Sequence, residues 1–100
     1  IYIDLEKGVS QSKVIKKISN FYKKDDFVKV MNADTLLSTN DVINTNYCFI
    51  SVCKTKYKDK IVILSAIDNL IKGGAGQAVQ NMNTRYNFKH SEGLKWELKF

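Results

Sequence analysis

Ile1, Ile3 and Leu5 alternate with Tyr2 and Asp4, the period-two pattern of a strand with one buried face. Gly8 breaks the pattern, and Ser10 or Ser12 then offers a hydroxyl to cap a helix. Over SKVIKKISNFYKK, residues 12–24, the apolar Val14, Ile15, Ile18, Phe21 and Tyr22 recur at helical spacing and form one stripe. Lys23 and Lys24 fall where the carbonyl end of that helix favours positive charge. FVKV, residues 27–30, reads as a short strand, and 31–46 as an irregular connection rich in small polar residues. YCFISVCKT, residues 47–55, is a longer strand, turned at Lys58-Asp59 into KIVILSAI, residues 60–67. That run is apolar on consecutive positions, which predicts a central strand covered on both faces. GQAVQNMN, residues 76–83, has Ala78, Val79 and Met82 at helical spacing, and GLKWELKF, residues 93–100, alternates Leu94, Trp96, Leu98 and Phe100 with charged neighbours as a one-sided strand.

These elements sum to an α+β domain with a mixed or antiparallel sheet and helices packed mainly on one face. A chain of 100 residues supports a single core, so 1–100 is expected to be one domain. It opens on Ile1 directly in strand-like sequence, which points to a segment of a longer protein. No apolar run approaches the roughly 18 residues of a membrane span, no signal-peptide pattern appears, and a cytoplasmic location without membrane contact is expected.

Charge changes the picture less than its size suggests. The net charge is +6, but fifteen of the sixteen basic residues are lysine and Arg85 stands alone. Sequence-reading proteins use the planar fork of arginine for bidentate base contacts, so a solvated lysine surface is favoured over a nucleic-acid patch. Cys48 and Cys53 stand at an odd spacing, on opposite faces of one strand, which argues against a mutual disulfide. With no CxxC and one histidine, His90, in a polar stretch, no metal site is expected and both cysteines are read as buried thiols.

One stretch resists this plain reading. IDNLIKGGAGQAVQNMN, residues 67–83, sets Gly73, Gly74 and Gly76 between an apolar run and an amide-rich segment. Gly74-Ala75-Gly76 begins a dinucleotide fingerprint, but Val79 stands where its third glycine belongs, and no Gly-Lys-Ser/Thr follows. A strand, a glycine turn and a helix start do place bare amides and a positive dipole end together, which suits an anion. They equally suit a tight turn for packing, and the glycines alone leave both readings open.

Read with its neighbours, the stretch resembles the C-terminal signature of the N-acetyl-gamma-glutamyl-phosphate reductase family, D-N-L-x-K-G-A-x-G-Q-A-x-Q-N-x-N. The likeness runs from Asp68 through Asn83, with Gly74 in place of the usual alanine. Upstream, LLSTNDVINTNYCFISV is similar to the family's T-x-x-V-x-G-T-N-x-C segment, with Ile43 set against the glycine and Leu37 against a common proline. The order of the earlier elements also agrees, so the likeness covers nearly all the chain. It implies the C-terminal catalytic/dimerisation domain of the semialdehyde dehydrogenase and glyceraldehyde-3-phosphate dehydrogenase-like fold.

The resemblance implies an NADP-dependent enzyme of arginine synthesis, in which a nucleotide-binding domain holds NADPH and a cysteine attacks an acyl phosphate. Hydride transfer to the thioester, helped by a histidine, then gives N-acetylglutamate semialdehyde. Both of those residues precede this segment in the family's order, so no catalytic residue is assigned to Cys48 or His90. What the resemblance does carry over is cofactor contact: Gln77 lies near the nicotinamide, since its amide both donates and accepts. Gly73, Gly74 and Gly76 allow close backbone approach, Asn69 orders the loop, and Lys72 attracts the anionic substrate or is an ordinary exposed lysine. A homo-oligomer, dimer or tetramer, is implied as well. The related aminoadipyl-phosphate reductase of lysine synthesis is the nearest alternative, and a non-catalytic lysine-rich binding module is the alternative of another class. Binding to nucleic acid that survives physiological salt would favour the last.

Overall fold

Cys48–Lys54 (β3) and Lys60–Ile67 (β4) form an antiparallel hairpin on which the remaining elements are laid. The computed structural model describes residues 1–94, so the strand expected at 93–100 lies, beyond Leu94, outside the described residues. Tyr2–Asp4 (β1) adds antiparallel to the outer edge of β4, and Val28–Val30 (β2) adds parallel to β3. The sheet order is β1-β4-β3-β2, mixed as expected. Between β1 and β2 runs the helix Gln11–Tyr22 (α1), and after β4 come a π-turn, Ile71–Ala75, and the helix Gly76–Arg85 (α2).

Ser10 is the residue that caps α1: its Oγ accepts the backbone N–H of Lys13. The helix packs on β2 and β3, on the face that bears Val28 and Val30. Gln11 is fixed at its start by donating to the carbonyl of Val52 at 2.9 Å and to Asp34 Oδ1 at 3.0 Å. Asp34 in turn accepts the backbone N–H of Lys54 at 2.7 Å, and that bond, reinforced by Gln11 and the Lys54 charge, holds its carboxyl below the usual value against the effect of burial. The segment 31–47 crosses the opposite face of β3, where Cys53 Sγ meets the carbonyl of Thr35 and Phe49 lies beside Leu36 and Leu37. Phe49, Ser51 and Cys53 are buried on that side, and Val52 and Ile61 on the α1 side.

Two expectations are corrected here. β3, not β4, is the strand covered on both faces, because α1 and the 31–47 connection both sit over β3. Ser65 and Ile67 in the second half of β4 are exposed. Phe21 belongs to the apolar stripe by spacing but is 79% exposed, stacked edge-on to Tyr22 at 4.8 Å where the helix ends. Cys48 is half-buried and Cys53 buried, both as free thiols.

Burial predicts how these positions respond to truncation. Ile61→Ala, at a fully enclosed site, is expected to lower stability by about 2–5 kcal/mol. Phe21→Ser should change the denaturant midpoint little, and a large loss at Phe21 would contradict its exposed placement.

Candidate functional site

Asp68 ends β4 and organises everything after it. Its Oδ1 accepts the N–H groups of Leu70 at 2.8 Å and Ile71 at 3.1 Å, and its Oδ2 accepts that of Asn44 at 2.8 Å. One carboxylate thus starts the π-turn and ties it to the loop before β3. The Asn44 N–H is the main reason that its carboxyl lies below the usual value, with Leu70 next, while partial burial opposes them. Asn44 has φ of 59°, the left-handed region that favours glycine. The glycine of the T-x-x-V-x-G-T-N-x-C segment therefore falls on Asn44 and not on Ile43, and the spacing from Thr39 to Cys48 agrees.

The three glycines divide by role. Within the turn, Gly73 N–H donates to the carbonyl of Asp68 and Ala75 N–H to that of Leu70, each bond reaching back five residues. Gly74 departs from helical dihedrals at φ −148°, ψ −112°, so the axis kinks there between the turn and α2. Gly73 and Gly74 are exposed. Gly76 is buried with ordinary helical dihedrals, φ −64°, ψ −40°. A Cβ at Gly76 would overlap Asn46 Oδ1 and lie 2.8 Å from the carbonyl of Ile71. Its glycine identity is therefore steric: it lets the start of α2 close onto Asn46.

Asn46 is fully buried, and its Nδ2 donates to Gln80 Oε1 at 3.1 Å. Lys72 Nζ donates to the same oxygen at 2.8 Å and stands 5.6 Å from the centre of the Phe27 ring. Lys72 is half-buried and so is no ordinary exposed lysine; one of its three donors is engaged by Gln80. Gln77, half-buried in the first turn of α2, donates from Nε2 to Asn81 Oδ1 at 2.9 Å. Asn69 is exposed, with its Oδ1 against Gly73. The buried positions of α2 are Gly76 and Asn83, while Ala78 and Met82 are exposed, so its inner face is not the one the apolar spacing suggested. Asn83 Nδ2 donates to the carbonyls of His90 and Glu92, and the helix ends in a Schellman turn with Asn87 at φ 58°.

The arrangement gathers Gly73, Gly74, Asn69, Lys72 and Gln77 around one kink, with Gly76 behind it. Asn46 and Phe27 were missed as parts of this site; for Asn46 the T-N-x-C spacing was a usable signal, whereas nothing in the sequence pairs Phe27 with Lys72. No group of three His, Cys, Asp or Glu that could hold a metal occurs among the described residues.

Residues 1–69 match the family model of the semialdehyde dehydrogenase dimerisation domain. The chain belongs to this family. The match ends one residue after Asp68, so the dimerisation domain supplies the sheet and the clasp from which the glycine turn departs. Similarity to individual proteins runs further. An N-acetyl-gamma-glutamyl-phosphate reductase of Halothermothrix orenii is 40% identical over 95 residues, covering 95% of this chain and 27% of the relative. One from Clostridium botulinum is 43% identical over 94 residues, covering 94% and 27%. A probable chloroplastic N-acetyl-gamma-glutamyl-phosphate reductase of rice, Oryza sativa subsp. japonica, is 32% identical over 100 residues, covering 100% and 24%. The chain spans about a quarter of the length of these relatives.

The residues at the kink fit a carboxamide of NADP in part. Gln77 offers an amide, and Gly73 and Gly74 offer exposed backbone without a Cβ, whereas Gly76 is occupied by Asn46. Asp68, the first residue of the DNLIKGGAGQAVQNMN string, is its structural anchor.

Two outcomes follow from this geometry. Gly76→Ala is expected to destabilise by about 1–3 kcal/mol despite alanine's better helix propensity. Gly74→Ala, whose Cβ would meet the Asn69 carbonyl at 3.3 Å, should cost less than Gly76→Ala by thermal melting. The Asp68 and Asp34 carboxyls have lowered folded values, so their stabilisation is fully present above the unfolded value of about 3.9. It is lost as pH falls through the folded values. Acid titration should therefore show a stability loss below about pH 4 that Asp68→Asn reduces.

Proposed function

We propose that the chain is the dimerisation domain of an NADP-dependent N-acetyl-gamma-glutamyl-phosphate reductase. It would work with a nucleotide-binding domain that corresponds to the remaining three quarters of its relatives. The observation that carries this reading is the long similarity to reductases of that name, 40% identity across 95% of the chain, which takes in the whole glycine turn. The names of the relatives favour the N-acetylglutamyl over the aminoadipyl substrate.

The domain's own part is to close a cofactor site. The Asp68 clasp and the Asn46–Gln80 bond hold the first turn of α2 in place, so Gln77 is presented at a fixed height above the kink. To meet a carboxamide, its amide exchanges Asn81 for the cofactor. Lys72, oriented by Gln80 and Phe27, contributes positive charge towards an acyl phosphate. The nucleophile and the acid-base histidine come from the part of the enzyme that precedes this segment, and this chain contributes positioning.

A homo-oligomeric role is consistent with the sheet. The register puts Ile63 and Ile67 on one face with Ile3 and Ile61, and Ile67 is 38% exposed there. Beside Ile67 lies the half-buried Cys48. A second copy covering this face would remove apolar surface from water.

The purified 100-residue chain is expected to reduce no acyl phosphate and to bind NADPH weakly, while sedimenting as a concentration-dependent oligomer. Turnover by this chain alone would overturn the division of labour. A strict monomer at high concentration would remove the oligomeric part.

A further inference from the structure

At the far end of the sheet from the glycine turn, the β3–β4 hairpin carries lysine at every second position: Lys54, Lys56, Lys58 and Lys60. All four line a cavity of about 410 Å³ between the hairpin tip, the start of α1 and the segment that joins β1 to α1. Its apolar wall is made by Leu5, Val9 and Ile61, and no carboxylate lines it. Acidic groups lie nearby without lining it, and one of them, Asp59 between Lys58 and Lys60 in the turn, also acts on the Lys60 charge. Asp4 pairs with Lys60, and Asp34 accepts the Lys54 N–H. Lys56 stands 5.1 Å from the centre of the Tyr57 ring. With Lys60 paired to Asp4, the like charges of Lys54, Lys56 and Lys58 remain around the concavity and repel each other, and a partly enclosed wall of low polarity focuses their field on whatever enters.

We propose that this cavity binds a small phosphate-bearing metabolite, its anion held by Lys56 and Lys58 at the hairpin tip and its carbon skeleton laid on Leu5, Val9 and Ile61. The strand β3 separates the cavity from the glycine turn by roughly 23 Å, seven residues at about 3.3 Å each. The ligand here is therefore distinct from one held at Gln77, and the assignment does not rest on the reductase reading. It also puts to use a lysine cluster that the dispersed charge in the sequence did not single out.

The test is a nuclear magnetic resonance titration of the full chain with inorganic pyrophosphate, and separately with glutarate, at constant physiological ionic strength. The expected result is saturable shifts confined to amides around 9–11 and 54–61, with glutarate distinctly weaker. Lys56→Gln combined with Lys58→Gln, both exposed and so harmless to folding, should weaken pyrophosphate binding about tenfold. Lys16→Gln combined with Lys17→Gln, on the exposed side of α1, should not. Shifts that fail to saturate, or that spread over all lysine-bearing surface, would overturn the proposal. Equal weakening by the α1 pair, or equal affinity for glutarate, would overturn it too.

Discussion

A single carboxylate at the end of β4 determines where the second half of the molecule goes. Asp68 accepts three backbone N–H groups, two from the turn that follows it and one from Asn44, twenty-four residues earlier. A turn that begins a helix leaves several amide donors without partners, and a carboxylate that takes two of them both satisfies the donors and sets the direction of exit. The third bond brings in the loop before β3, and with it Asn46. That bond acts together with the Asn46–Gln80 bond and the Gly76–Asn46 contact in joining α2 to the 44–47 loop.

Once that contact exists, the rest of the site follows by close packing. Asn46 occupies the space a side chain at position 76 would need, so glycine is the residue compatible with it. The Asn46 amide then shares Gln80 Oε1 with Lys72, and Lys72 lies over Phe27 at the start of β2. A chain of contacts thus runs from the sheet to the helix face that bears Gln77. Such rigidity would serve the cofactor contact proposed for Gln77, since an amide that is to recognise a carboxamide is effective when its position is already determined. The hairpin tip, with its lysine-lined cavity, lies outside that chain of contacts and has a different chemistry.

Much of the sheet was legible in the residues. Period-two alternation marked β1, Ser10 or Ser12 marked the start of α1, and Lys58-Asp59 marked the hairpin turn between β3 and β4. What failed was the inference from apolar content to depth. The run KIVILSAI reads as a doubly covered strand, yet coverage depends on which strands the helix and the long connection cross, and they cross β3. Phe21 failed for a related reason, since helical spacing defines a stripe but not how far the neighbouring strand extends beneath it. The string DNLIKGGAGQAVQNMN carried the family likeness, although the family model itself matches residues 1–69 and so only the first two residues of the string. Ile43 was set against a glycine that the backbone assigns to Asn44, because only a dihedral distinguishes neighbouring residues in a loop.

Sequence by itself determined the local elements, the family likeness and the set of residues at the glycine turn, because each depends on neighbours a few positions apart. Tertiary structure alone decided that Gly76 is glycine for the sake of Asn46, that Lys72 is tethered to Gln80 and Phe27, and that four of fifteen lysines surround one cavity. Apart from the Lys72–Gln80 bond, which spans eight residues, these contacts join segments far apart in the chain, and they exist only after the sheet order and the exit of the chain from β4 have been chosen. Asp68 connects the two levels. Its identity is written in the motif, but its partner at Asn44 is supplied by the fold.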